Sequence, residues 1–296
     1  MHQVTNCPAC DSTLWKPVFD VTDHSISHET FKLIKCDGCG LIATSPRPDD
    51  DKLGKYYESE KYISHSGTSS GIVNSIYLQA RKYALNWKYQ IINKLSLRQA
   101  QTDKSILDFG CGSGEFLQHM QQKGWAVSGM EPSNSARSKA EKLISQSITT
   151  SEDNLSDQHD VITLWHVLEH IPDPNKTIAK LKSVLAENGN ILIAVPNHSS
   201  YDGYLYGTLW AGYDVPRHLW HFNQKSMVQL LQKHGLTVKQ IIPMKLDAYY
   251  VSILSEKYKK SGGLMSLIKG VWYGFHSNLG GSKTGEYSSL IYIAAK

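Results

Sequence analysis

The sequence predicts a doubly wound α/β fold, a largely parallel sheet with helices between its strands, behind a small four-cysteine module. Three observations carry that expectation. Residues 105–117, SILDFGCGSGEFL, read as strand, glycine turn and helix. Apolar strand patterns alternate with helical ones from there to about residue 197. Four of the five cysteines sit in two C-x-x-C pairs near the start.

In the first strand Ile106, Leu107 and Phe109 flank one acid, Asp108, and Gly110, Gly112 and Gly114 follow. A strand running through such a turn into a helix lets a ligand lie against bare backbone at the helix N-terminus. A dinucleotide fingerprint needs G-x-G-x-x-G, but position 115 is Glu. A carboxylate there repels a pyrophosphate and suits a ligand carrying an ammonium and a sulfonium, which argues against an NAD-dependent oxidoreductase. Phe116, Leu117 and Met120 follow at helical spacing, Gly124 stops the helix, and a short apolar strand at 125–130 ends on Glu131. An acid at that strand end can accept hydrogen bonds from both hydroxyls of a ribose. Strand, turn, helix, strand and acid fill about 30 residues, the size of one βαβ unit.

A third strand is expected near 148–150, with Glu152, Asp153 or Asn154 beyond it placed to meet a nucleoside base. Residues 161–164 read as a buried parallel strand, followed by Trp165, His166, Val167, Leu168, Glu169 and His170. Asp173 and Pro174 suit the N-cap and first position of a helix reaching about residue 187, with Gly189 as its stop. Another strand spans 190–195. A helix over 226–234, ended by Gly235, precedes strands at 236–242 and 290–295, expected as an antiparallel edge pair. Residues 52–100 read as mostly helical, with a loop at 64–71.

Together, and in this order, the glycine turn, Glu131 and the 165–174 segment resemble the motifs of class I S-adenosylmethionine (SAM)-dependent methyltransferases. The resemblance implies a Rossmann-like, seven-stranded methyltransferase sheet. It places SAM against Asp108, Gly110, Gly112, Gly114, Glu131, Asp153, Trp165 and His166.

The remaining composition fits a sizeable core: 296 residues, 41% hydrophobic. A net charge of +4 from 31 basic and 27 acidic residues is too mild to imply a nucleic-acid partner. The opening Met-His-Gln-Val-Thr-Asn has no basic-then-apolar leader, and no apolar run suits a bilayer span, so a cytoplasmic protein is expected. In a reducing compartment Cys7, Cys10, Cys36 and Cys39, with 25 residues between the two pairs, can give four thiolates to a structural zinc ion. The alternative is a set of redox or merely structural thiols. Cys111, inside the glycine turn, reads as a small filler. The organisation expected is a zinc-ribbon-like module at 1–45, a helical linker or cap at 46–100, and a SAM-binding domain at 101–296 with helical insertions near 198–223 and 244–288.

A four-cysteine module fused to such a domain resembles a family of bacterial sugar methyltransferases, some of which methylate carbon of nucleotide-linked deoxyketosugars. In that family a His-Leu-x-x-Phe segment carries the catalytic His, which here corresponds to His218 in Arg217-His-Leu-Trp-His-Phe222. The carbon-methylating members have Glu just before that His and Tyr three residues before it; this chain has Arg217 and Val215. A nucleophile that must lose a proton needs a base, and His suits that near neutral pH. His218, His221 and His166 are the candidates in that order, with Tyr213 beside them and Arg217 as a clamp for a phosphate or carboxylate of the substrate. The acceptor expected is a small molecule, a sugar or surface-glycan precursor that is nucleotide- or lipid-linked. O-methylation of a quinone or lipid-linked precursor is the alternative, and a catalytically inactive zinc-containing SAM-binding protein is the reading from another class. In the late insertion, bulky apolar residues beside lysines over 249–275 could skim a membrane surface, or form a lid or a dimer contact.

Overall fold

The structure is a computed structural model that describes residues 1–57, 72–96 and 104–296. The loop expected at 64–71 lies outside the described residues. Among the described residues ten strands run in chain order as β1 (Trp15–Thr22), β2 (Thr30–Cys36), β3 (Ile42–Thr44), β4 (Ser105–Phe109), β5 (Ala126–Met130), β6 (His159–Trp165), β7 (Leu185–Pro196), β8 (Trp220–His221), β9 (Thr237–Pro243) and β10 (Ser289–Ala295). The α-helices are α1 (Ile72–Ser96), α2 (Glu115–Gln122), α3 (Asn134–Ile144), α4 (Pro174–Ser183), α5 (Tyr201–Tyr206), α6 (Gln224–Lys233), α7 (Lys245–Tyr258) and α8 (Gly263–Thr284). One sheet has the order β5-β4-β6-β7-β10-β9 and a second, four-stranded sheet the order β1-β2-β3-β8. Two compact units are formed, one from residues 1–57, 166–178 and 193–294, the other from 58–165, 179–192 and 295–296.

In the second unit β4 pairs in parallel with β5 on one side and β6 on the other. Ile106, Leu107, Leu117, Met120, Ile162 and Leu164 are all buried, so the apolar residues of strand and helix meet in one core. Gly114 caps α2 in the left-handed region, φ +81°, and a Cβ there would stand 2.7 Å from that of Ala140, so only glycine fits. The large sheet has six strands among the described residues, not the seven expected. The segment expected as a strand near 148–150 is reduced to a single parallel bridge, Met130 to Thr149. Ile148 there turns into the core beside Gly129, and one bridged residue cannot extend the ladder. Helix α4 stops at Ser183, short of residue 187, where the Ser183 hydroxyl donates to the Lys180 carbonyl at 2.7 Å and competes with the helical ladder. Gly189 is therefore no helix stop but lies inside β7.

In the first unit β1, β2 and β3 form an antiparallel meander whose last partner comes from far along the chain: Ile42 pairs with His221 and Ala43 with Trp220. Thr44 locks the junction, its hydroxyl donating to the His218 carbonyl at 2.8 Å and its N–H to that of Leu219 at 3.0 Å. Behind the sheet Val21, Phe31, Leu33, Ile42, Tyr56, Trp210, Tyr213 and Val215 pack as one cluster. Arg217, 1% exposed, closes it: Nη2 donates to Asp23 at 3.0 Å and to Asp214 at 2.6 Å, Nε to Asp214 at 3.0 Å, and Nη1 to the Tyr56 carbonyl at 3.1 Å.

Arg217→Met should leave the buried Asp23 and the half-buried Asp214 without a counter-charge and cost about 3–5 kcal/mol in urea unfolding at neutral pH. Burial alone would raise the Asp23 pKa, but the Arg217 hydrogen bond and charge outweigh it and hold the group at about 2, below its ordinary 3.8. That stabilisation is present above the ordinary value and lost as pH falls toward 2, so the gap between wild type and Arg217→Met should narrow below about pH 4.

Candidate active site

The glycine turn rises from β4 as the sequence predicts. Gly110, Gly112 and Gly114 all have positive φ, and at Gly112 no heavy atom lies within 4 Å of the place a Cβ would take. Bare backbone therefore faces open space. Glu131, at the end of β5, accepts the Gly112 N–H at 2.9 Å and the Ser133 N–H at 2.8 Å. A carboxylate has lone pairs left after these two bonds, so it can still accept hydroxyls of a bound nucleoside. Asp108 is buried beneath the turn and accepts the Thr163 hydroxyl at 2.7 Å. Burial pushes its carboxyl up to about 7, against the Thr163 bond and the charge of Lys88, with Glu131 adding repulsion. A cationic ligand favours the ionised form of such a group. Trp165 closes the strand, its ring edge-on to Phe116 at 5.5 Å with the Lys88 ammonium 4.1 Å above it. The open cradle and the two carboxylates fit a cationic amino-acid nucleoside. Asp153 lies exposed on a short turn at 152–154, and Cys111 is buried in the turn as expected.

The first unit gathers the histidines. His166 sits in the left-handed region, φ +56°, a costly conformation for a residue with a Cβ. Its Nε2 lies 2.9 Å from an Asp247 oxygen and its Nδ1 3.4 Å from one of Glu169. Burial opposes the charge on this ring, but the two carboxylates more than offset it and raise the group to about 10. Glu169 is 1% exposed, and neither oxygen accepts a well-formed hydrogen bond; its other ionic neighbour is His218 Nε2 at 4.0 Å. Burial would raise the Glu169 pKa, yet the surrounding histidines bring it below the usual value. His218 Nδ1 lies 2.9 Å from the Gly212 carbonyl, which can only accept, so that nitrogen donates, and in the neutral form of the ring the lone pair is on Nε2. His170 stacks edge-on to His218 at 4.6 Å, with Nδ1 3.0 Å from the Arg217 carbonyl, and burial brings it down to about 4. Glu169, His170 and His218 thus converge within 4.8 Å.

Three other expected residues are placed differently. His221 is buried in β8, with Nε2 3.1 Å from the Thr44 hydroxyl, and burial lowers its pKa far below the ordinary value. Tyr213 packs edge-on against Trp210 at 5.0 Å and His221 at 5.1 Å inside the apolar cluster, where burial raises its phenol. Arg217, expected as a substrate clamp, spends its guanidinium on Asp23 and Asp214. Glu169 and Asp247 were absent from the expected set. Glu169 lay within the recognised 165–170 run, but nothing in its spacing announces burial. Asp247 sits in the late insertion without any motif.

Cys7, Cys10, Cys36 and Cys39 come together as one cluster, all sulfurs within 4.8 Å, with Cys7 3.4 Å from Cys39 and Cys10 3.5 Å from Cys36. No disulfide joins them. Thiolates about 2.3 Å from a shared tetrahedral zinc stand roughly 3.8 Å apart, so the donor set fits that ion. Gly40, φ +80°, makes the second knuckle, and Gly38 leaves only 3.0 Å between a notional Cβ and the Cys10 sulfur.

The His166 geometry gives a direct measurement. Imidazole nitrogen NMR should find this ring still doubly protonated at pH 8, and Asp247→Asn should lower its titration by at least one pH unit; a neutral ring at pH 8 in the wild type would refute the ion pair.

A family model described as "Methyltransferase domain" matches residues 77–241. The ubiquinone biosynthesis O-methyltransferase of Saccharophagus degradans is 26% identical over 187 residues, covering 54% of this chain and 79% of that protein. Its counterpart from Pasteurella multocida is 31% identical over 117 residues, covering 33% of this chain and 48% of that one. Among solved structures, magnesium protoporphyrin IX methyltransferase from Synechocystis PCC 6803 with bound SAH superposes with a TM-score of 0.55 at 12% identity, over 84% of this chain and 100% of its own. The plantazolicin methyltransferase BpumL with SAH gives 0.51 at 15%, over 82% and 93%. With the family match over more than half of its length and a glycine cradle shaped for a cationic nucleoside, this chain belongs to the methyltransferase domain family and is a SAM-dependent methyltransferase.

Proposed function

We propose that the chain methylates a small-molecule acceptor whose nucleophile must lose a proton, with His218 as the base. The observation that carries this is the fixed orientation of His218: Nδ1 is held by the Gly212 carbonyl and Nε2 faces the buried Glu169. Charge count supports it. His166 is held cationic between the carboxylates of Glu169 and Asp247 and is unsuited to take a proton, while His170 is neutral near pH 7. The group then carries one net negative charge, and a proton on His218 brings it to zero. When bound, SAM supplies a methyl group activated by its sulfonium. Glu131 would receive the ribose hydroxyls, the bare backbone at Gly110, Gly112 and Gly114 would admit the amino-acid end, and Asp108 would answer its positive charge. Trp165 would wall the cradle, and Asp153 would meet the adenine.

A sugar or surface-glycan precursor is the acceptor class supported by the four-cysteine module and by the 217–222 segment. The ubiquinone biosynthesis O-methyltransferase relatives support a second reading, a quinone or lipid-linked precursor methylated on oxygen. We read residues 1–45 as a zinc-holding module whose sheet presents the His218 segment, residues 46–100, of which 58–71 and 97–100 lie outside the described residues, as a linker or cap, and 101–296 as the methyltransferase domain.

Calorimetry should show SAM binding that Glu131→Ala weakens tenfold or more. His218→Asn should keep SAM affinity within about twofold and lower kcat roughly 10²–10⁴-fold in a turnover screen of nucleotide sugars, lipid-linked glycans and quinols; unchanged kcat on the accepted substrate would remove His218 from the reaction. Elemental analysis should find one zinc per chain, absent from Cys39→Ser, with a lower melting temperature in that variant; a metal-free wild type of equal stability would dismiss the zinc.

A further inference from the structure

Helix α8 is built inside out. Its small residues, Ser266, Gly270, Gly274, Ser277 and Gly281, are buried, spaced three and four apart on one face. At Gly270 a Cβ would come within 2.5 Å of the Ile253 backbone, and at Gly274 within 2.7 Å of that of Tyr249, so α8 lies backbone to backbone against α7. The bulky residues are turned the other way. Leu264 is 73% exposed and Trp272 59%, with Ile268, Val271 and Phe275 on the same stripe. An ordinary surface helix of a globular domain shows the reverse, with large apolar residues inward and polar ones outward. Small-residue packing between helices with apolar bulk outward is the arrangement of helices whose surroundings are hydrocarbon.

The charges say what those surroundings are. From residue 257 to 285 there is no Asp or Glu, and there are five lysines. Lys257, Lys260, Lys269 and Lys283 are exposed; Lys260 precedes Leu264 by four residues and Lys269 follows Ile268 directly. Among the described residues no helix is long and apolar enough to cross a membrane. A helix with an apolar stripe that includes a tryptophan, and with lysines at its edges, lies in the headgroup region. A second copy meeting this face about a two-fold axis would bring the same lysines together, whereas anionic headgroups gain from each one.

We propose that the outward face of α8, with the lysines of the α7–α8 turn, is a binding site for an anionic lipid surface, on which the helix lies without crossing. The inference does not depend on the acceptor assigned above. It predicts that the full chain floats with vesicles of phosphatidylglycerol and phosphatidylcholine in equal parts at low salt, and that pure phosphatidylcholine captures at least tenfold less. Ile268→Ser, Trp272→Ser and Phe275→Ser combined should reduce partitioning more than tenfold. Each of Lys257→Gln, Lys260→Gln and Lys269→Gln should reduce it about fivefold. All these side chains point outward, so melting temperature and SAM affinity should be unchanged, which separates loss of lipid binding from loss of fold or of methyltransferase function. Absence of binding to anionic vesicles, equal binding to neutral ones, or a dimer in solution that the triple serine variant dissolves would each overturn the proposal, the last by assigning the face to a second copy.

Discussion

The first unit rests on the burial of one guanidinium between two carboxylates. Arg217 reaches Asp23 in the turn between β1 and β2 and Asp214 beside its own loop, and it has almost no access to water. An unpaired charge in that position would be prohibitive, so the three groups must arrive together. Their arrival places the next residue, His218, whose carbonyl and neighbour Leu219 are then bound by Thr44 of β3. The ion triad and the short β3–β8 ladder thus act on the same few residues from two sides. Neither a two-residue strand nor an isolated buried ion pair would hold a side chain well alone. Acting on adjacent positions, they leave the backbone at His218 little conformational freedom.

This arrangement gives the cysteine cluster a purpose beyond stabilising a small module. Cys36 ends β2, and Cys39 and Gly40 lead directly into β3. The Gly40 carbonyl meets His198 Nε2 at 3.1 Å, and the Cys39 carbonyl accepts from Asn223 at 3.4 Å. The second knuckle is therefore bonded to both ends of the 198–223 insertion. An ion held by the four thiolates would order the knuckle, the knuckle orders β3, and β3 carries the edge on which the 218–221 segment is laid. Coupling of this kind needs no movement; it follows from sharing hydrogen bonds among a few residues.

What could be read in the sequence was whatever physics writes locally. The β4–turn–α2–β5 unit and Glu131 were legible because each glycine, apolar spacing and terminal acid acts on residues a few positions away. The four cysteines were legible because a tetrahedral donor set has a characteristic spacing. The expected third strand failed because Ile148 and Thr149 make one bridge and no more, a matter of core shape that no propensity records. Arg217 was read as a substrate clamp because the deeper of its partners, Asp23, lies 194 residues away. Asp214, three residues back, was in view, but a single nearby acid does not distinguish an arginine facing a ligand from one buried against a second, distant carboxylate. Glu169 is the same lesson in reverse: a charged residue beside two histidines in a recognised motif, whose burial and bare oxygens emerge only when the 217–221 segment folds over it.

The two departures from the sugar carbon-methylating pattern, Arg217 and Val215, have a consistent physical meaning. Val215 belongs to the buried apolar cluster, and Arg217 belongs to the ion triad, so both positions look into the fold. A glutamate at 217 would face Asp23 and Asp214 and could not be buried there beside two other carboxylates. The carboxylate that faces His218 comes instead from Glu169 on the 168–170 turn. In this fold the carboxylate beside the histidine is thus supplied from another segment. The difference in motif is then a redistribution of charge around one histidine, with Nε2 of that ring facing a buried carboxylate.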